Sequence, residues 1–161
     1  MADPPTYDFN RQLAEGEQGE SYLDDFLRQR GHSVRDATRD EQRQGIDRVI
    51  TTRQGKVMRV EYKTDQTATR TGNAFVETVS VDTAGKMGWA LTSQADCLIY
   101  YVPERVIYVL PLKSLHWALP GWMRDFPART APNRGYDTHG VLVPLAVLAE
   151  YAVQTFSLAE V

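Results

Sequence analysis

The sequence has 161 residues, which is the size of one domain with its own hydrophobic core, and we predict a single domain over residues 1–161. Its 42% hydrophobic and 24% charged residues are typical of a soluble globular protein. The single cysteine excludes an intrachain disulfide, and no apolar run is long enough to span a bilayer. The N-terminus lacks a signal pattern, so we expect a cytoplasmic protein without a membrane partner.

The net charge of −3 conceals an uneven distribution of charge along the chain. Residues 1–27 have a net charge of −6, residues 28–70 have +5, and residues 71–161 have −2. A local positive field matters more for binding phosphates than the total charge does. The segment 28–70 therefore agrees with a nucleic-acid partner, although a solvated arginine-rich face remains the alternative.

The first predicted element is an amphipathic helix that follows a loose leader over residues 1–8. Apolar or small residues recur at helical spacing from Phe9 to about Arg30, and Gly31 ends the pattern. Glu20 is the exception, because it is a carboxylate in the middle of the face that should meet the core. It could reach the edge of that face, or it could point at a metal ion.

Residues 45–63, GIDRVITTRQGKVMRVEYK, predict two strands joined by a polar turn. Side chains alternate along a strand, so Glu61 and Lys63 share one face. Asp47 lies in the first strand among apolar residues, where a carboxylate is costly to bury unless its charge is compensated. A divalent cation held by Asp47 and Glu61 is the simplest compensation, and Mg²⁺ favours such oxygen ligands. An edge hairpin with solvated charges is the alternative.

Two polar segments flank the hairpin and are predicted to be loops. Residues 38–44 lead directly to Asp47, and residues 64–73 follow Lys63 without apolar periodicity. Exposed loops often carry function, and cationic or amide side chains on them can contact phosphates. The candidate DNA contacts in and around these segments are Arg35, Arg39, Arg43, Gln44, Arg70 and Lys86.

The C-terminal half carries fewer signals. Residues 74–81 alternate as a strand, on which Glu77 is predicted to be an edge-strand surface charge or, less favoured, a further site acid. Two apolar runs around Pro103 predict a second hairpin. Residues 120–140 combine Pro, Gly and Arg without periodicity and predict a long loop or insertion. The last predicted element is an apolar helix that could form a dimer face.

The order of these residues resembles the PD-(D/E)XK nuclease superfamily, with Ile46-Asp47 followed by Glu61-Tyr62-Lys63. Ile46 replaces the proline that is common in that family. The run from Glu20 through Leu27, Gly31 and His32 into these motifs looks most like archaeal-type Holliday junction resolvases, over roughly residues 16–64.

The resemblance implies a restriction-endonuclease-like core, an α/β fold with a mixed β-sheet flanked by helices. It implies Glu20, Asp47, Glu61 and Lys63 as catalytic residues, with Lys63 assisting the attacking water. The implied metal ligands are Glu20, Asp47, Glu61 and Tyr62, and the implied cofactor is Mg²⁺, with Mn²⁺ as an alternative.

The predicted function is a metal-dependent DNA endonuclease, specifically a homodimeric Holliday junction resolvase, because two symmetric nicks need two sites. The alternatives are a phage, homing or restriction-type endonuclease that cuts duplex DNA, and a non-catalytic DNA-binding protein on the same fold.

Overall fold

The computed structural model describes residues 9–158, so the predicted leader over residues 1–8 lies outside the described residues. In this range the helices α1 to α6 are Phe9–Gln29, Arg39–Arg43, Gln66–Thr71, Trp89–Thr92, Leu112–Asp125 and Leu145–Tyr151. The strands β1 to β10 are Ser33–Asp36, Arg48–Thr51, Val57–Thr64, Asn73–Val81, Lys86–Met87, Cys97–Val102, Val106–Pro111, Ala128–Asn133, Tyr136–Pro144 and Gln154–Ser157. A 3₁₀ turn covers Asp82–Ala84.

The strands form two sheets. The first has six strands in the order β1-β2-β3-β6-β7-β10, in which β3 and β6 are parallel and the other neighbours are antiparallel. The second has four antiparallel strands in the order β5-β4-β9-β8. The predicted fold class, a mixed α/β fold with a mixed sheet flanked by helices, is confirmed. The separate second sheet is a feature that local patterns did not predict.

The two faces of the first sheet pack into different layers of the core. On one face, Leu23, Phe26 and Leu27 of α1 pack on the side chains of Val60 and Tyr62. The opposite face packs against α5, α6 and the second sheet. Because side chains alternate along β3, Glu61 and Lys63 point away from the α1 face and toward this second layer.

The predicted hairpin over residues 45–63 is confirmed as β2 and β3, and the amphipathic helix is confirmed as α1. The helix approaches β3 very closely at one point. A Cβ atom added to Gly19 would lie 1.9 Å from Oγ1 of Thr64, so only glycine permits this contact. The close approach brings Glu20, the next residue, beside the end of β3.

Both segments predicted to be polar loops contain a short helix. Helix α2 within residues 38–44 begins with a capping box, in which the Thr38 hydroxyl accepts from the Glu41 N–H and the Glu41 carboxylate accepts from the Thr38 N–H. Helix α3 within residues 64–73 is capped by Asp65 and ends at Gly72, whose φ is 75°. Polar composition concealed these helices, because their stability comes from caps rather than from an apolar face.

Residues 120–140, predicted to be a long loop or insertion, form a helix end and two strands and are not a loop. Helix α5 continues through Pro120 to Asp125, and the rest of the segment belongs to the hairpin β8–β9. This hairpin turns at Gly135, where φ is 84°, and pairs with β4 through β9. Its residues carry no apolar alternation because β8 is an exposed edge strand.

Within the described residues, no helix has both the length and the apolar character that crossing a membrane requires.

Candidate active site

The candidate site lies where β2 and β3 separate. The Asp47 carboxylate accepts a hydrogen bond from the Tyr62 backbone N–H at 2.7 Å, which fixes Asp47 beside Glu61 on β3. The Nζ atom of Lys63 lies 3.5 Å from Oε1 of Glu61. The structure therefore places Asp47, Glu61 and Lys63 together, as the hairpin pattern predicted.

Glu61 is almost fully buried, with 5% of its surface exposed. Its second oxygen, Oε2, is buried and has no hydrogen-bond partner within the described residues 9–158. A buried carboxylate oxygen without a partner is costly, and it is the feature expected of a ligand whose cation is not shown. This orphaned oxygen fits a hard divalent cation between Glu61 and Asp47.

Asp47 and Glu61 both have a raised pKa. Burial raises the pKa of Glu61, with the charge of Lys63 and the Ser93 hydroxyl opposing the shift and the charge of Asp47 adding to it. Burial likewise raises the pKa of Asp47, against the opposing Tyr62 N–H and the charge of Lys63. Two desolvated acids that repel each other form an environment in which a bound cation is strongly favoured.

Glu20 reaches the edge of this site but is held by a cation that the sequence analysis did not identify. Arg48 lies 3.4 Å from Oε2 of Glu20 and also pairs with Asp24 at 3.1 Å and Asp36 at 3.3 Å. Burial raises the pKa of Glu20, Arg48 lowers it, and the charge of Asp47 raises it further. The acids Glu20 and Asp24, one turn apart on α1, were the available sign that a cation must lie between them.

The side chain of Tyr62 does not face Asp47 and Glu61. Its ring is buried on the α1 face of β3, and its hydroxyl donates to Oδ1 of Asp24 at 3.0 Å. Burial and the Asp24 carboxylate raise the pKa of this phenol. Any role of Tyr62 toward a metal therefore falls to its main chain.

Glu77 is also closer to the site than its predicted position on an edge strand implies. Strand β4 lies inside the second sheet, between β5 and β9. Burial raises the pKa of Glu77, whereas the charges of Lys63 and Lys86 and the backbone N–H of Trp89 lower it. Glu77 and Lys63 both line a groove of about 680 Å³.

The groove runs between the first half of α1 and the second sheet. One wall is formed by Gln12, Glu15 and Gly16, and the other by side chains of β4, β8 and β9. The Trp89 indole lies under the groove, with its ring centre 5.7 Å from Nζ of Lys63. Trp89 is 9% exposed and packs with the buried residues of the core.

The six predicted DNA contacts are dispersed. Arg35 is bound to both carboxylate oxygens of Glu41, at 2.9 and 3.3 Å, and Arg43 pairs with Asp40 at 3.0 Å. The other four are exposed, and of these the charge of Lys86 acts on Glu77 beside the site. None of the six lines the groove.

A second group of ligand-type side chains lies on the second sheet. Atoms of Asp82, Asp137 and His139 lie within 4.8 Å of one another, a spacing that Glu20, Asp47 and Glu61 do not meet as a trio. Nε2 of His139 lies 3.1 Å from Oδ2 of Asp82, and its Nδ1 lies 3.1 Å from the Thr130 hydroxyl. These internal contacts account for the group without a metal.

No protein-family model matches this sequence, and the comparison with curated proteins gives no match. Among solved structures, the fold is similar to that of the bacterial homing endonuclease I-Ssp6803I. The TM-score is 0.49 and the identity is 20%, over 64% of this chain and 70% of that chain. At this distance the likeness assigns neither a family nor an activity to this chain.

Proposed function

We propose that this chain is a metal-dependent DNA endonuclease that hydrolyses phosphodiester bonds. The observation that carries the proposal is the buried, unpartnered Oε2 of Glu61 beside Asp47 and Lys63. A hydrophobic core gains nothing from such an oxygen, whereas a cation site requires it.

In this proposal Asp47 and Glu61 hold Mg²⁺, or Mn²⁺ in its place. A divalent cation supplies Lewis acidity toward a phosphate and acidifies water at neutral pH. Asp47 is held in position by the Tyr62 N–H, so its carboxylate is oriented before any ligand arrives. Glu20, tethered by Arg48, is the accessory acid at the edge of the site.

Lys63 has the position of the group that assists the reaction. Its ammonium is tied to Glu61 on one side, and its side chain is 36% exposed toward the groove. From there it can orient the attacking water and offset the negative charge that develops on the phosphate in the transition state. The Trp89 ring beneath it restricts where the ammonium can move.

The test is Mg²⁺-dependent nicking of supercoiled plasmid DNA. We expect wild type to nick and Asp47→Ala to lose the activity while it still binds DNA. The matched control is Asp40→Ala, which removes an exposed acid on α2 and should nick as wild type does. Nicking by Asp47→Ala at the wild-type rate would overturn the metal assignment. Wild-type binding without nicking in Mg²⁺ or Mn²⁺ would favour the non-catalytic reading.

The finer proposal is a homodimeric resolvase of four-way DNA junctions, for which the support is the order of sequence motifs from Glu20 to Lys63. The alternative is an enzyme that cuts a continuous duplex. Cleavage of a four-way junction is to be compared with cleavage of each of its arms as linear duplex. Light scattering of the protein alone and with the junction measures whether two copies assemble. A cytoplasmic location remains a prediction.

A further inference from the structure

The groove beside Lys63 has one wall that belongs to the second sheet. On β8, Arg129, Ala131 and Asn133 all line the groove, as residues on one face of a strand must. Strand β4 contributes Phe75 and Glu77 to the same wall. This face of the sheet is therefore open to a ligand rather than covered by a helix.

A row of three residues crosses this face. Glu77 pairs with Gly140, and Gly140 pairs with Arg129, so the three lie side by side on β4, β9 and β8. Two strand spacings separate the backbones at Glu77 and Arg129, which is about 10 Å. A Cβ atom on Gly140 would lie 2.6 Å from the Val76 carbonyl oxygen and 2.7 Å from the Phe75 ring. The Val76 carbonyl oxygen and the Phe75 ring therefore fill the space beside Gly140 at the centre of the row.

The groove is lined by three acids, Glu15, Asp65 and Glu77, and by two cations, Lys63 and Arg129, and each acid has a partner within the protein. The charges of Lys63 and Lys86 act on Glu77. Glu15 is bound to Arg11 at 3.2 Å. The Asp65 carboxylate accepts hydrogen bonds from the Ala68 and Phe75 N–H groups and from the Tyr100 hydroxyl. Arg129 is exposed and enters no ion pair with any residue in the described range 9–158.

The size and lining of the groove distinguish an unpaired strand from a duplex. Its volume of about 680 Å³ is in the range of pockets for small ligands. A duplex is wider than its major groove, which alone measures about 12 Å, so a cavity of this volume cannot enclose it. The lining combines neutral polar side chains with the Phe75 ring, and such a combination suits the edges and faces of unstacked bases.

Asn133 illustrates this neutral lining. Its amide nitrogen donates to the Thr138 hydroxyl at 2.8 Å, and Thr138 in turn donates to the Ser80 carbonyl at 2.8 Å. These two hydrogen bonds fix the Asn133 amide on the groove wall and leave its carbonyl oxygen oriented as an acceptor. Base amino groups are donors of the matching kind.

We propose that the groove binds a DNA strand that is unpaired at the cleaved step, with Arg129 holding a phosphate that flanks it. This inference rests on the proposed nuclease function, and its substrate, a strand unpaired at the cleaved step, is an alternative to the fully paired four-way junction. It assigns phosphodiester hydrolysis to the first sheet and the choice between unpaired and paired DNA to the second.

The first experiment measures binding by fluorescence anisotropy, with Ca²⁺ in place of Mg²⁺. One oligodeoxynucleotide is used alone and as a blunt, fully paired duplex. We expect the single strand to bind at least about tenfold more tightly, which corresponds to stacking of one base. Equal or tighter binding of the duplex would overturn the proposal.

The second experiment compares two arginines of the same hairpin. Arg129→Gln should weaken single-strand binding about tenfold and lower the salt slope by about 0.7. Arg134→Gln, at the exposed turn outside the groove, should leave both unchanged. Equal effects of the two substitutions, or no effect of either, would overturn the role of Arg129.

Cleavage separates this proposal from the nuclease function. A wild type that binds as expected but cuts no substrate would refute the nuclease function and leave the groove assignment intact. A wild type that cuts a continuous duplex as fast as one with a central unpaired loop would keep the nuclease function and refute the groove assignment.

Discussion

The Lys63 ammonium lies 3.5 Å from Oε1 of Glu61, while Oε2 of the same carboxylate is buried and has no hydrogen-bond partner in the part of the chain that the structure describes. One oxygen of Glu61 is thus compensated within the chain and the other is not. This carboxylate lowers the stability of the metal-free protein, whereas the proposed metal site needs its second oxygen as a ligand.

The first prediction concerns this cost. Glu61→Gln should raise the free energy of unfolding of the metal-free protein at neutral pH by about 1 kcal/mol, because it removes a buried, partly unpaired charge. The measurement is urea denaturation in EDTA. A loss of stability in Glu61→Gln would show that the carboxylate is satisfied in solution.

The second prediction gives the pH dependence. The folded-state pKa values of Asp47 and Glu61 are raised, so the folded state binds more protons than the unfolded state as these groups titrate. Their contribution is therefore fully present below the unfolded pKa values, near 4, and is lost as pH rises through the raised values. The stability gained by Glu61→Gln should shrink below that range. A gain independent of pH would contradict the assignment.

The third prediction concerns metal binding. Mg²⁺ should raise the melting temperature of wild type. At a hundredfold excess over Kd, the free energy of unfolding should rise by about 2.7 kcal/mol. Asp47→Asn should show no effect of Mg²⁺. His139→Ala tests the other group of ligand-type side chains and should respond as wild type does. Loss of the Mg²⁺ effect in His139→Ala, together with its retention in Asp47→Asn, would assign the metal site to the group of Asp82, Asp137 and His139.

The fourth prediction concerns Arg48, which is largely buried and bridges Glu20, Asp24 and Asp36. Arg48→Met should lower the free energy of unfolding by about 3 kcal/mol, because it leaves the buried Asp24 without its cation. Arg59→Gln is the control, since Arg59 and Asp96 are both nearly half exposed, and should cost less than about 1 kcal/mol. Similar losses for the two variants would show that the ion pairs of Arg48 stabilise the fold no more than an exposed pair does.

The fifth prediction concerns two glycines of α1. Gly19→Ala should destabilise the protein by about 2 kcal/mol and impair nicking, because its methyl group would displace α1 from Thr64. Gly16→Ala meets nothing within 4 Å and should stabilise the helix by about 0.5–1 kcal/mol. Thermal melts of both variants measure the contrast. Equal stability of the two would refute the close approach at Gly19.

The parts predicted from sequence are those encoded by local periodicity. The helical spacing of α1 and the alternation of β3 placed Glu20, Glu61 and Lys63 on the right faces, and the apolar surroundings of Asp47 indicated its burial. These patterns need only neighbouring residues to be visible.

The parts not predicted depend on contacts between distant segments. The parallel pairing of β3 with β6 joins residues far apart in sequence, and the β8–β9 hairpin is an exposed edge without alternation. The position of Arg48 follows from acids on α1 and β1 that meet only in the fold. Glu77 was predicted at an edge because nothing local indicates that β4 has neighbours on both sides.

Asp65 joins the two sheets through one carboxylate, since its partners Tyr100 and Phe75 belong to β6 and β4. Asp47 and Glu61, the acids proposed to hold the metal, lie at the first sheet, and the hairpin with Arg129 lies on the second. Under the two proposals above, a grafted hairpin of different length or charge would alter DNA recognition and leave the metal site unchanged. Specificity in such a scaffold is therefore open to independent evolution, and to engineering, by exchange of one peripheral hairpin.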